Sequence, residues 1–270
     1  MERRSAWPDG KVVLGMVHLQ PLPGTPYHEE GSLEEILSTA VASACALRDG
    51  GADGCLVQTV DRVYSVGEDV DPARLAAFTL IVQAVVDATG PGFHVGVQVM
   101  RAAVRASLAV AKVTGAEFVR VSTIVGATLT PSGLVQADPL AVMEYRKKIN
   151  ASNVKIIADV ASMHFSWFGG GKTPGEVAAA AWQVGADAVA VSHPREDAVL
   201  DMIAQVRAAV PEVPIVLAGH THQGNVGRLL AVDGGADGAF VGTCLEGGGW
   251  GSAIDQGRVE AYMRAVPGRP

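Results

Sequence analysis

Hydrophobic residues in this chain fall in short continuous runs more than in strict alternation. Eight runs of strand length lie at 11–19, 54–58, 94–99, 118–123, 154–160, 188–192, 214–219 and 238–243. Such runs mark strands of a parallel sheet buried on both faces. Helical spacing appears between them, near 33–49, 71–89, 102–114, 138–149, 174–184, 195–209 and 224–232, and a closing helix follows at about 255–266. An internal echo punctuates the series: GGADGCLVQ ending at Gln58, GAEFVRVS at 115–122, GADAVAVS at 185–192 and GGADGAFVG at 234–242. Each echo stops a helix on a glycine suited to the left-handed position and then starts a strand. The other strands begin after Pro, Gly or Asn, and the two kinds alternate. The pattern predicts an α/β fold, a single (β/α)8 TIM barrel of four repeated β-α-β-α quarters spanning 1–270. A doubly wound open sheet is the runner-up. It would carry G-x-G-x-x-G after the first strand, which GMVHLQPLPG does not supply.

Length agrees, since 270 residues is near the usual size of one such barrel. The net charge of −7 argues against nucleic acid or an anionic membrane as partner. Cys45, Cys55 and Cys244 are widely spaced and fit a reduced cytoplasmic protein better than a disulfide framework. MERRSAWPDG has no apolar signal-peptide core, and no run reaches transmembrane length. The expectation is a soluble, cytoplasmic domain of enzyme size, for which a homo-oligomer is allowed.

Candidate chemistry gathers where strands end. In such barrels the C-terminal strand ends form the active-site mouth, and the loops after strands seven and eight grip phosphate. Here those loops follow Gly219 and Gly242–Thr243, where bare backbone N–H groups can approach an anion. The other strand ends bring His18, Gln58, Thr59, Gln98, Arg101, Arg120, Ser122, Asp159, His164, Ser192, His193, His220, His222 and Glu246 to the same rim. Among the histidines only His94 opens a strand at the opposite end. Asp159 ends an apolar strand, where an unpaired carboxylate is costly; it is paired, a metal ligand or a general base. Asp159, His164 and His18 are the candidate catalytic residues. Arg101, Arg120, Ser122, Ser192, Gly219, His220, Gly242 and Thr243 are candidates for holding a phosphorylated small-molecule substrate.

Two readings stay open at the mouth: acid–base isomerase, lyase or glycosidic-bond chemistry on a phosphorylated sugar or nucleotide-like molecule, and a metal-dependent hydrolase. No cofactor is predicted, but His193, His220 and His222 could bind a divalent metal, because neutral imidazole is a common ligand for such ions. The loops 20–32, 59–70 and 161–173 are long, and ASMHFSWFGGGKT in the third reads as a mobile lid. Its GGGKT is not a P-loop, since G-x-x-x-x-G-K-[ST] requires glycine where Ser166 stands. Schiff-base chemistry is disfavoured, as only Lys172 of the lid lies near the mouth.

MVHLQPLPGTP, GVQVMRA, FVRVSTIVGATLTPSG, IIADV with a following His, GNV and DGAFVGT occur in an order that resembles the BtpA/SgcQ family. The likeness runs from about residue 11 to 266. It implies a barrel of the ribulose-phosphate-binding type and supports the phosphate reading. It also implies a third role, since the family's namesake is linked to photosystem I biogenesis: a non-catalytic assembly or stability factor. The chain is a divergent member. Where the family has V-E-N, G-V-N-V-L-R-N, R-V-N, T-D-Q-G and A-D-V-x-V-K-H, this chain has Val57-Gln58-Thr59, GVQVMRA, Arg120-Val121-Ser122, Thr130-Pro131-Ser132-Gly133 and ADVASMH. His18, Arg101, Arg120, Asp159 and His164 match the family, so the resemblance implies a kept scaffold with altered chemistry or substrate.

Overall fold

In the computed structural model Pro8, residues 10–231 and residues 234–269 are described. Their strands, in chain order, are β1 (Val12–Leu19), β2 (Gly54–Thr59), β3 (His94–Gln98), β4 (Phe118–Val121), β5 (Ala127–Thr130), β6 (Gly133–Gln136), β7 (Lys155–Ala161), β8 (Ser166–Trp167), β9 (Ala188–Val191), β10 (Ile215–Ala218) and β11 (Gly238–Val241). All but β5, β6 and β8 pair in parallel around a closed barrel, β1 meeting both β2 and β11. The intervening helices are α1 (Leu33–Asp49), α2 (Pro72–Thr89), α3 (Val104–Thr114), α4 (Pro139–Lys148), α5 (Pro174–Val184), α6 (Glu196–Ala209), α7 (Val226–Leu229) and α8 (Gln256–Met263). The (β/α)8 barrel expected from the sequence is therefore present.

Helix starts follow local chemistry. Asp71, Asp138 and Thr173 each precede a proline and accept hydrogen bonds from N–H groups of the first turn, so proline fills a position that needs no donor. Two apolar layers result. One lies between sheet and helices; α2, long and apolar enough to cross a membrane, belongs to it through Phe78, Ile81, Val82 and Val85. The other fills the barrel with Val12, Leu14, Met16, Leu56, Phe118, Ile157, Val216 and Phe240. Phe118 and Phe240 meet inside at 6.2 Å between centroids. Gly96 makes room for them, since a Cβ there would stand 2.0 Å from the Phe118 ring.

Three of the four echoes have a common physical task. Asp53, Asp187 and Asp237 each accept the backbone N–H of Val13, Ile156 and Ile215 at 2.8 Å. Their own N–H groups return a bond to Val13, Ile156 and Ile215 carbonyls at 3.0, 2.8 and 2.8 Å. Each clip locks two strands of one quarter together at the base. An arginine completes each acid: Arg146 on Asp187 at 3.1 Å, Arg207 on Asp237 at 2.6 Å, and Arg269 on Asp53. The second quarter differs. Glu117 pairs with His94 at 2.8 Å, which raises the histidine pKa and lowers that of the carboxyl, in each case first through the hydrogen bond. Stability from this pair is present between the two ranges. It is lost as pH rises through the folded His94 value or falls through the folded Glu117 value.

Three segments depart from expectation. Residues 124–137, which the hydrophobic period left blank, form the β5–β6 hairpin. The 161–173 loop, read as a lid, is stitched to that hairpin by β8, with Thr128 opposite Trp167 and Leu129 opposite Ser166. Trp167 Nε1 also donates to the Val160 carbonyl at 3.2 Å. The helix expected over 224–232 shrinks to Val226–Leu229; Val232 lies outside the described residues. Asn225 does not cap it, because its carboxamide turns back to the His222 N–H at 2.8 Å and the His220 carbonyl at 3.0 Å.

Replacing Asp187 with alanine removes the clip and leaves Arg146 half-buried without its carboxylate. Urea unfolding of Asp187→Ala is expected to show a loss of about 1–3 kcal/mol. Glu117→Ala, which removes no such clip, should lose clearly less; equal losses would contradict the assignment.

Candidate active site

The alternation that fills the barrel also builds the site. Val12, Leu14 and Met16 point inward, and His18 continues their parity. Leu56 is followed by Gln58, Phe118 by Arg120 and Ser122, and Ile157 by Asp159. Apolar layers thus give way to a polar layer at the C-terminal ends, where a cavity of about 920 Å³ opens. His18, Arg101, Arg120, Ser122, Asp159, His164, Gly219, His220, His222, Gly242 and Thr243 line it. Ser192 and His193 do not.

Arg120 and Asp159 form the anchor of the floor. Nε and Nη2 of the arginine donate to the two carboxylate oxygens at 3.0 and 3.1 Å. Both side chains are largely buried, 12% and 6% exposed, and the guanidinium sits 5.1 Å from the centroid of the Phe240 ring. Bidentate pairing fixes both groups in direction, and removal of either would strand a buried charge. Asp159 is therefore a paired carboxylate beside the cavity.

Arg101 has no such partner. Its Nε is buried without a hydrogen bond, while its guanidinium stands 5.3 Å from the Tyr64 ring centroid. Burial pulls its pKa below the ordinary value, though an arginine remains cationic. A buried clasp positions the segment before it. Arg74 of α2 donates to Thr59 Oγ1 at 2.8 Å, to the Met100 carbonyl at 3.1 Å and to Asp61, and the Met100 N–H donates to Thr59 Oγ1 at 2.9 Å.

The histidines divide. His18 Nδ1 lies 3.1 Å from Glu246 Oε1, whose side chain is 1% exposed. Glu246 Oε2 accepts the Gly251 N–H at 2.9 Å, so the carboxylate is held from both sides and orients the imidazole. His18 also borders a smaller cavity of about 300 Å³ under the β1–α1 loop. His164 has an exposed edge, but its pKa is lowered, first by burial and then by the cations Arg101 and Arg120. His220 has positive φ, +58°, and Nε2 2.9 Å from Met163 Sδ. His222 and His193 each accept, on Nδ1, a backbone N–H of their own turn, Gly224 at 3.1 Å and Arg195 at 3.0 Å. Among the described residues no group of three His, Cys, Asp or Glu side chains comes together to hold a metal. His193, His220 and His222 thus do not assemble the ligand set considered from sequence, because two of them serve their own turns and His193 lies off the cavity.

The glycines that suggested a phosphate grip stand at the mouth. Gly219 adopts φ +96° with open space where a Cβ would be, and its N–H donates to the Phe240 carbonyl at 3.2 Å. After Gly242 the chain turns, with the Leu245 N–H on the Gly242 carbonyl at 2.8 Å.

With this geometry in view, comparison with known proteins is direct. The model of the BtpA family matches residues 9–268. The chain belongs to the BtpA family. It is 31% identical over 261 residues to the photosystem I biogenesis protein BtpA of Synechocystis sp., covering 94% of this chain and 87% of the relative. It is 30% identical over 261 residues to an uncharacterised protein of Archaeoglobus fulgidus, covering 96% and 99%. Among solved structures, a tryptophan synthase of Mycobacterium tuberculosis superposes with TM-score 0.61 at 16% identity, covering 95% of this chain and 93% of that one. That likeness is one of fold.

The sequence left several parts of this BtpA-family site unassigned. Tyr64, Asn225 and Trp250 line the cavity from loops with no period to place them. Arg74 and Asp61 meet across a helix and a loop; a lone arginine inside the apolar run of α2 was the available signal. Glu246 could have been inferred as the partner of His18 only from the turn after β11.

The lowered pKa of His164 is directly measurable. Its Cε1–H resonance, assigned with His164→Gln, should titrate with a midpoint below the ordinary value of 6.5, and Arg101→Met should move that midpoint upward. A wild-type midpoint at or above 6.5 would contradict the electrostatic description.

Proposed function

We propose that this chain is an enzyme acting on a phosphorylated sugar or nucleotide-like molecule by acid–base catalysis at the barrel mouth. One observation carries the reading: within a large cavity, Arg120 is neutralised by Asp159, whereas the partly buried Arg101 has no carboxylate on its guanidinium and a buried, unpartnered Nε. A cation drawn partly out of water without a counter-ion is completed by an anion, and phosphate is the anion that a guanidinium matches best. The backbone at Gly242–Thr243 would carry a second part of the ligand.

The acid–base groups line this same cavity. His164 is held toward its neutral form and is the candidate base. His18, oriented by Glu246, is the candidate acid or second base, and its Nε2 is left for substrate. Asp159 orients Arg120 in this scheme, since both its oxygens are engaged. Isomerisation, lyase or glycosidic-bond chemistry can use such a set. The histidine-metal hydrolase is the weaker alternative, because its ligands are not gathered.

The name of the Synechocystis relative supports a second reading, a non-catalytic biogenesis factor. Exposed Tyr27, Val66, Leu129, Leu134, Phe168 and Trp250 on the mouth loops give that reading a surface.

A thermal-shift screen with sugar phosphates, nucleotides and inorganic phosphate separates the two. At a hundredfold excess over Kd a ligand should stabilise the fold by about 2.7 kcal/mol, and Arg101→Met should abolish the shift from inorganic phosphate and reduce that from the phosphorylated organic compounds. A folded wild-type protein that responds to no phosphorylated compound would sink the enzyme reading.

A further inference from the structure

Gln58 and Gln98 have no role in the scheme above, yet both are buried polar residues of the barrel, 9% and 3% exposed. Both line the mouth cavity. They lie at one level, because the parallel register sets His18 opposite Gln58 and Gln58 opposite Gln98. Adjacent strands are about 4.8 Å apart, so these three side chains form a shelf about 10 Å long across β1, β2 and β3.

The shelf is incompletely satisfied. Gln98 Nε2 donates to Ser122 Oγ at 3.2 Å, while Gln98 Oε1 is buried with no partner. If the carboxamide is turned over, Ser122 donates to the oxygen and the NH2 is left instead. Either orientation leaves one buried polar atom unanswered. Gln58 makes no side-chain hydrogen bond among the described residues and opens onto the same cavity. A buried amide atom without a partner costs about 1–3 kcal/mol, so the arrangement is built to be completed by something that enters.

We propose that Gln58 and Gln98 read the neutral hydroxyl groups of the substrate, and that the ligand is a polyhydroxylated carbon chain or ring laid along the His18–Gln58–Gln98 shelf. A hydroxyl both donates and accepts, so it answers either carboxamide orientation. The shelf carries no formal charge between His18 and Ser122, which disfavours a second anion there. Among the described residues the strand ends of β2 and β3 present amides and not aromatic rings at that level, so the Gln58–Gln98 part of the shelf suits hydroxyl groups, while Trp250 stands 5.9 Å from the His18 ring at the β1 end. The proposal refines the enzyme reading by naming the part of the substrate that is not phosphate. It makes Gln58 and Gln98 specificity-determining residues.

The test uses isothermal titration of the intact protein with matched ligands: sugar phosphates, the same sugars without phosphate, their deoxy analogues, and nucleotides. Deoxy analogues are expected to bind about 10-fold more weakly than the parent sugars. Gln98→Leu and Gln58→Leu should bring that ratio near one, with circular dichroism and Tm confirming the fold. Gln98→Asn, which keeps the amide, should retain part of the discrimination, and Arg101→Met should remove only the phosphate-dependent affinity. An unchanged hydroxyl ratio in both leucine variants, or nucleotides binding as tightly as sugars, overturns the proposal and leaves the enzyme reading standing. Unphosphorylated sugars that bind through Gln98 with no gain from phosphate would uphold the shelf and overturn the phosphate site. Absence of binding by every ligand would overturn both.

Discussion

A closed parallel barrel gives every second strand residue only one direction, inward. That constraint governs this protein. Below, the inward positions are Val, Leu, Ile and Phe, and they pack to a solid plug around Phe118 and Phe240. Above, the same parity carries His18, Gln58, Gln98, Arg120 and Asp159, which a solid plug would leave unsolvated. The cavity exists because these side chains cannot be packed like the layer beneath them. The site is thus the upper boundary of the core, and its residues inherit positions fixed by closure of the sheet.

Within that boundary the charges are ordered by pairing. Arg120 and Asp159 satisfy each other across adjacent strands, while Arg74 pairs with Asp61 behind the wall through Nη2 and clasps Thr59 and Met100. These pairs hold backbone and side chains rigid. Arg101 and His164 are left with unbalanced fields. A cation without its counter-ion and an imidazole held toward neutrality by burial and nearby cations are unfavourable alone and productive once an anion arrives. Strain of this kind at a site is offset by ordered structure elsewhere, here by the clipped base of the barrel.

Most of the barrel was legible because its signals are local and repeated. Continuous apolar runs and glycine helix stops each report a backbone need at one point in the chain. The β5–β6 hairpin and β8 escaped because four-residue and two-residue strands show no period, and the β5–β8 pairing joins segments far apart in the chain. The rim residues could be named from strand ends alone, since parity carries a side chain to the mouth. Their partners could not. Nothing in the sequence says that Asp159 takes Arg120, that His18 takes Glu246, or that Arg101 is left without a partner; those depend on side-chain reach across neighbouring strands. The histidine cluster shows the reverse error. His193, His220 and His222 are close in number along consecutive strand ends, but backbone N–H groups claim two of them and turn the set apart.

The arginines at the base carry an implication for the chain as a circuit. Arg146 leaves the helix before one quarter and binds the acid inside it, and Arg207 does the same for the next. Arg269, beyond the last helix, reaches Asp53 in the first quarter and the Lys11 carbonyl at 2.9 Å. The seam between the last unit and the first is therefore bonded by the same kind of contact as two of the internal seams. At the base, this ring has no weak joint where its covalent thread is interrupted, and the order of units along the backbone matters less to its cohesion than their order around the axis.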